Sequence, residues 1–421
     1  MSTNTHLTVT LSPETTLKMA LLENDPASLT HLTLVGPATL DDLKFIRKNM
    51  RETLQELDMS NCTIAELEKW IFSQCSGLTS IFLPSTVTEI NEYCFALCTN
   101  LTSVIIPNSV TKIKNGAFAD CTSLTSITIP DSVTKIESGA FANCTGLESV
   151  TIPDSVTELG DRAFADCTGL TSITLSNSIN EIKWNCFAGC TSLPSVTIPN
   201  SVTIIDVEAF SKCIELTSVT IPDSVTIIGI RAFSDCIGLT SVTIPDSETK
   251  IIIKEHAFTR CTSLASVAIP NSVSEIGKYT FARCTDLSSV TIPDSITVIP
   301  ENTFDGCVSL TSVTIPDSVN LIGAFAFHDC TGLTSINIPD SVNLIGACAF
   351  HGCTALTSVD IPDSVFVLGA QAFAGCTGLT SVSIPDSITK IDRCFDGCPD
   401  VFTVHPDNPV FTSEEGKLKI K

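Results

Sequence analysis

Four kinds of reactive side chain recur at fixed intervals in this sequence: thiols, imidazoles, carboxylates and hydroxyls. Of the twenty cysteines, fifteen fall in one register from Cys75 to Cys398. One thiol per interval at the same inward position reads as a buried column of small, soft side chains. A structural metal centre needs four converging ligands, typically from close C-x-x-C pairs, and no C-x-x-C occurs. A disulfide ladder is also disfavoured, because every thiol has equivalent neighbours on both sides. So many unpaired thiols fit a reducing or anaerobic setting. His328 and His351, in FHDC and FHGC one interval apart, are the only histidines expected to stack. Such a pair can share a metal or form a pH-sensitive spot. Two imidazoles without a carboxylate pair leave the ligand set incomplete, so the sequence assigns no metal ligand and places both rings at the surface. His256 and His405 have no visible catalytic companion.

The carboxylates follow prolines: Asp131, Asp154, Asp223, Asp246, Asp294, Asp317, Asp340, Asp363 and Asp386. At one strand spacing, neighbouring carboxylates repel by about 0.8 kcal/mol in water, which good turn chemistry outweighs. The functional counterpart is a divalent-cation column, since hard cations prefer carboxylate oxygens. The hydroxyls give the candidate working surface. Thr128, Thr151, Thr174, Thr197, Thr220 and Thr243 share an outward strand position, Thr291 and Thr314 repeat it, and Ser126, Ser149, Ser172, Ser195, Ser218 and Ser241 sit two residues earlier. β-branched residues on an exposed strand explain such a column structurally. Functionally, it makes a broad face able to dock a partner through many weak hydrogen bonds, and a flat S-x-T array would also suit ice. There is no G-x-S-x-G, no Walker-type G-x-x-x-x-G-K and no H-E-x-x-H. A repeated surface seldom gathers distinct acid, base and nucleophile, so neither an enzyme nor a cofactor is expected.

These columns exist because the chain repeats itself. LTSITIPDSVTKIESGAFANCTG (124–146) is followed by LESVTIPDSVTELGDRAFADCTG (147–169), and fourteen such units open at leucines from Leu78 to Leu379 with a 23-residue period. The unit at Leu239 carries two extra residues around KIIIKEH, and the unit at Leu379 loses one before Phe395. In each unit L-x-x-I-x-I puts alternate residues on one face of a strand. The proline that follows ends the strand, because it lacks an N–H. Val133 and Ile136 mark a second apolar segment, and Phe141 and Cys144 are spaced as on a helical or 3₁₀ turn. A unit this short cannot stand alone, so neighbours must stack. The expected fold is an α/β solenoid with a parallel sheet on one face and short helical turns on the other.

The pattern L-x-x-[VI]-x-[IL]-P-x-S-[VI]-x-x-[IL]-x-x-x-A-F-x-x-C resembles the BspA-type leucine-rich repeats of bacterial and protozoan surface proteins. The lead-in SLTHLTLVGPATLDDLKFIRKN (28–49) with LQELDMSNCTI (54–64), and the ending VHPDNPVFTSEEGKLKI (404–420), are similar to the family's two ends. The resemblance implies adhesion or binding of host or matrix proteins at the cell surface or after secretion, and brings no catalytic residues. The chain is expected to divide into an N-terminal cap (1–27, whose pattern reads as a strand at 7–11 and a helix at 14–24), degenerate lead-in repeats (28–77), fourteen repeats (78–400) and a C-terminal cap (401–421), the caps covering faces and edges an open solenoid would expose.

Composition agrees with a binding role. The chain has 421 residues, 43% hydrophobic, and a net charge of −23. That charge repels phosphate backbones and anionic lipid, excluding nucleic acid as a partner. No run reaches the roughly 18–20 apolar residues a membrane helix needs. MSTNTHLTVTL at the start lacks the features of a secretory signal, so a cytoplasmic interaction scaffold is the alternative. A monomer with a protein partner is expected. Trp184, Tyr93, Tyr279 and Phe325 fall outside the A-F core column, where edge packing is expected of them.

Overall fold

A strand that meets a proline after three residues cannot run on, and this limit shapes every turn of the chain. The computed structural model describes residues 6–421. They form two compact units, one running to Val202 with Lys212–Ile214, the other comprising Thr203–Ser211 and Glu215–Lys421. Each is a stack of parallel strands with little helix.

The turn at 147–169 shows the construction. Ser149–Thr151 is a strand with Val150 buried and its neighbours exposed. After Pro153 the Val156 N–H closes a tight turn onto the Pro153 carbonyl at 2.9 Å. Glu158–Leu159 is a second short strand, paired in parallel with Lys135–Ile136. The chain therefore builds two ladders per unit where the sequence implied one sheet. In the first unit the second ladder joins Glu89–Ile90, Lys112–Ile113, Lys135–Ile136 and Glu158–Leu159. In the second unit a six-stranded parallel sheet runs from Ser218–Thr220 to Ser335–Asn337.

The segment around A-F does not form the helical turns its spacing implied. Among the described residues the helices are α1 (Leu17–Ala20), α2 (Leu40–Met50) and one 3₁₀ turn (Pro26–Ser28), all ahead of the repeats. The reason is two left-handed residues per turn, such as Arg162 (φ 55°) and Asp166 (φ 59°), which no right-handed helix accommodates. Alternate N–H groups face different partners. Ala163 and Ala165 bond back three residues, to Gly160 and Arg162, whereas Arg162, Phe164 and Asp166 donate to Trp184, Cys186 and Ala188 of the next turn. The position before the cysteine is Asp, Asn or Gly in most turns, the residues that tolerate this conformation at least cost.

Inside, the A-F phenylalanines are buried and stack face to face with offset rings. Centroid separations run from 5.0 Å (Phe350–Phe373) to 5.8 Å (Phe281–Phe304). The two extra residues near Lys250 are absorbed outside this core. Ile251–Ile253 still pairs with Val273–Ile276, with a register shift at Ile251/Ile252.

The N-terminal region holds β1 (His6–Thr10), β2 (His31–Pro37) and β3 (Glu56–Thr63), all parallel. The expected strand at 7–11 begins one residue early, and residues 1–5 of the expected cap lie outside those described. The expected helix at 14–24 is only α1. An antiparallel bridge between Ser12 and Thr15 holds the preceding chain, and the buried Asp42 carboxylate fixes its start by accepting the Leu17 N–H at 2.7 Å. That carboxylate also accepts the N–H and hydroxyl of Thr39 at 2.9 and 2.6 Å, closing a capping box on α2. At the other end Phe402–Val404 adds a parallel strand, and Phe411–Glu414 pairs with Lys417–Ile420 as an antiparallel hairpin. The Asn408 side chain, fully buried, donates to the carbonyls of Pro385 and Ile388 at 2.7 and 2.9 Å.

Removing one ring from the stack should be costly. Phe233→Ala is expected to destabilise the fold by about 3–5 kcal/mol, read as a lower urea midpoint at unchanged slope. Phe366→Ala, at an exposed site, should change stability by less than about 0.5 kcal/mol.

Candidate functional site

The eight column threonines are all exposed: Thr128, Thr151, Thr174 and Thr197 in the first unit, and Thr220, Thr243, Thr291 and Thr314 in the second, although Thr128 and Thr197 lie outside any strand, contrary to expectation. Parallel pairing puts like on like, with Ser149 beside Ser172 and Thr151 beside Thr174. In the second unit Thr220 lies beside Thr243, and Thr291 beside Thr314. The column is not uniform. Ala268 interrupts it, Asn337 continues it after Thr314, and Ile105, 56% exposed, takes the place in an early turn. In the first unit Ser126, Thr128, Ser149, Thr151, Asp131 and Pro153 help line an open cleft of about 350 Å³.

What distinguishes these hydroxyls is how the others are used. At a neighbouring position the Thr111, Thr134 and Thr157 hydroxyls donate to the carbonyls of Thr88, Thr111 and Thr134, one turn earlier. The serine of P-D-S does likewise: Ser132 Oγ reaches the Val110 carbonyl at 2.6 Å and Ser318 Oγ that of Ile296 at 2.6 Å. Neither ladder is evident from the sequence, although a serine directly ahead of a buried apolar residue in most turns is a trace of it. The S-x-T hydroxyls, by contrast, make no hydrogen bond to any described residue, so their donors and acceptors face solvent. The exposed Asp131 and Asp154 place negative charge beside them.

All twenty cysteines are free thiols. The register column has a bonding role that spacing alone did not show, because its thiols from Cys98 onward donate to a phenylalanine carbonyl of the preceding turn. Cys98 Sγ lies 3.0 Å from Phe72 O, Cys144 Sγ 3.1 Å from Phe118 O, and Cys284 Sγ 3.2 Å from Phe258 O. Burial pushes the thiols of Cys121, Cys167, Cys213 and Cys284 up to about 12. They are therefore protonated donors, unsuited to metal ligation or nucleophilic attack at neutral pH.

The remaining candidates separate. Residues of the Asp column are exposed turn formers, and among the described residues none belongs to a convergent ligand set. Tyr93 stacks on Trp70 at 4.1 Å and Tyr279 on His256 at 4.5 Å, while Arg162 lies over the Trp184 ring at 6.0 Å. Packing thus occupies these aromatics, as expected of them. Burial, aided by nearby Arg231, lowers the His256 pKa. His328 and His351 do stack, with centroids 5.1 Å apart, as do His6 and His31 at 6.2 Å, a pair the sequence did not expose. His328 and His351 are half-buried rather than surface residues. Carboxylates also stand beside them, since His328 Nδ1 lies 2.8 Å from Asp305 Oδ1 and 3.6 Å from Asp329 Oδ2. No helix among the described residues is long and apolar enough to cross a membrane.

Comparison with known proteins gives a consistent picture. A family model described as a BspA type leucine rich repeat region, in six copies, matches residues 46–148, 134–252, 203–331, 235–356 and 297–412. A leucine-rich repeat protein from Bacteroides ovatus is 33% identical, over 83% of this chain and 92% of that one, with a TM-score of 0.75. A leucine rich cell surface protein from Faecalibacterium prausnitzii is 33% identical, over 71% and 84% of the two chains, with a TM-score of 0.45. A leucine-rich repeat protein from Eubacterium ventriosum is 23% identical, over 81% and 88%, with a TM-score of 0.50. No curated protein matches the chain.

The thiol column fixes a pH dependence. The folded state holds these protons to about 12, whereas an unfolded thiol releases its proton near 9.0. Above 9.0 the unfolded state binds fewer protons, so stability falls as pH rises. The melting temperature should therefore hold below pH 9 and decline steadily between 9 and 12. A thiol reagent at neutral pH should label Cys348, which is half-buried and outside the register column, well ahead of the column itself.

Proposed function

The chain belongs to the family of BspA-type leucine-rich repeat proteins, and on that premise we propose that it is a protein-binding module whose strand face docks its partner. One observation carries the reading: the S-x-T hydroxyls named above are all exposed and make no hydrogen bond to a described residue, whereas most lateral threonines and the P-D-S serines donate to the preceding turn. Serine and threonine lose little rotamer entropy on binding, and each offers both a donor and an acceptor. A rigid array of them forms many modest hydrogen bonds at low ordering cost, which is how a polar interface gains affinity without an apolar patch. The exposed Asp131 and Asp154 beside the array favour a partner surface carrying lysine or arginine.

Family membership supports a host or matrix protein as the partner, with the module displayed at the cell surface or secreted. The twenty free thiols support a second setting, a reducing compartment in which the same face serves an interaction scaffold.

Capture from extracellular-matrix and cell extracts by wild type, Thr151→Arg and Thr174→Arg tests the face. Each arginine should weaken binding of the captured partner at least about tenfold, or ~1.4 kcal/mol. Lys212→Glu, at an exposed site away from the strand face, should leave it unchanged, and all three variants should melt with wild type. Undiminished capture by both threonine variants overturns the assignment.

A further inference from the structure

The residue that follows each buried A-F or T-F pair is small in the first turns of the second unit: Ser211, Ser234, Thr259 and Ala282. On the next three successive turns it becomes Asp305, His328 and His351, and then returns to Ala374. The backbone ladder holds these turns in line, with the Gly306 N–H on the His328 carbonyl at 2.7 Å and the Asp329 N–H on that of His351 at 2.8 Å. From this alignment we infer a binding site for one zinc-class divalent cation, formed by His328, His351 and Asp329 with Asp305 behind them.

The geometry carries the assignment. One ligand atom each from His328, Asp329 and His351 lie within 4.8 Å of one another. Tetrahedral zinc, with nitrogen and oxygen ligands at about 2.0–2.2 Å, needs them roughly 3.3–3.5 Å apart. Asp329 is exposed, so its side-chain rotation closes part of that difference, and the stacked imidazoles, 19° apart in plane, tilt to bring one nitrogen each onto the ion. Its carboxylate lies over the next turn at Gly352, where a Cβ would overlap it. The Nδ1 of His351 is shielded from solvent and has no hydrogen-bond partner, a costly state for a polar atom that ligation to a metal relieves. Asp305 accepts from His328 Nδ1 at 2.8 Å, the arrangement in which an outer carboxylate fixes the orientation of a ligating imidazole. Phe325 meets the His328 ring edge-on at 5.5 Å and limits its rotation.

Ligand chemistry selects the ion. Two imidazoles and a carboxylate suit zinc and its neighbours, whereas calcium and magnesium require a shell dominated by oxygen. Thiolate does not compete, since Cys330 in the adjacent core donates to Phe304 O at 3.2 Å and burial pushes its pKa up.

Titration of the full chain with zinc, against a chromophoric chelator, tests the site, with cobalt as the spectroscopic reporter. The wild type should take up one equivalent, with visible cobalt bands and no thiolate charge-transfer band. His351→Ala and His328→Ala should abolish that equivalent. Asp305→Asn should weaken it by about 10–100-fold, as outer-shell changes do. His405→Ala should bind as wild type. A thiolate band, uptake that survives both histidine variants, or no saturable uptake by the wild type overturns the proposal. Should a histidine variant fail to melt cooperatively, zinc-edge X-ray absorption of the wild type decides, a sulfur ligand overturning the assignment and a shell of nitrogen and oxygen alone upholding it.

Discussion

The edges that each turn presents must match the edges of the turns beside it. Backbone N–H and C=O groups cannot be buried unpaired, and in each unit most pair with a residue about 23 positions away in the chain. Along the strands Ser149 lies against Ser172; along the second ladder Lys112 lies against Lys135; on the turn side the Phe141 N–H reaches the Ala163 carbonyl at 2.8 Å. A turn of different length must absorb the difference locally, as the unit at Leu239 does with a register shift. The period is therefore a hydrogen-bonding requirement before it is a hydrophobic one. The two-residue insertion near Lys250 is absorbed by a register shift in the second ladder at Ile251/Ile252.

Once the period is imposed, each position in a unit becomes a column, and a column can have only one kind of environment. Inward columns are apolar and filled by stacked phenylalanines. The cysteine column suits a site with room for one small side chain and a backbone carbonyl to satisfy, where the S–H is a weak but fitting donor. Lateral serine and threonine columns donate to the preceding turn, so they are structural although they look like the strand-face residues in composition. The S-x-T column faces outward, with no hydroxyl hydrogen bond to any described residue, and its hydrogen-bonding capacity is left for other molecules.

The same rule governs where unusual chemistry can arise. A repeated surface spreads one functional group along a line, which favours docking an extended partner and works against assembling different catalytic groups at one point. A local departure within a column is the exception, because neighbouring positions are only one strand spacing apart. Replacing small residues by Asp305, His328 and His351 on successive turns brings an aspartate and two imidazoles into contact without disturbing the fold. Beside them Asp329 takes the left-handed position that aspartate tolerates.

The 23-residue period, the strand ended by proline, the inward phenylalanine and cysteine columns and the outward threonines were all legible in the amino-acid order, because each depends on local rules or on simple repetition. The second ladder and the left-handed turns in place of helical ones were not. Spacing of three suits both a helix and a turn, and only the demand of the next turn for alternate N–H groups decides between them. Likewise, the sequence lists serines and threonines without saying which are consumed, since that depends on a carbonyl 22 or 23 residues away coming within 3.5 Å. His328 and His351 were evident as a pair, yet their carboxylates were not. Asp305 belongs to the preceding turn and Asp329 is an ordinary turn residue, and stacking alone sets them around the same two rings.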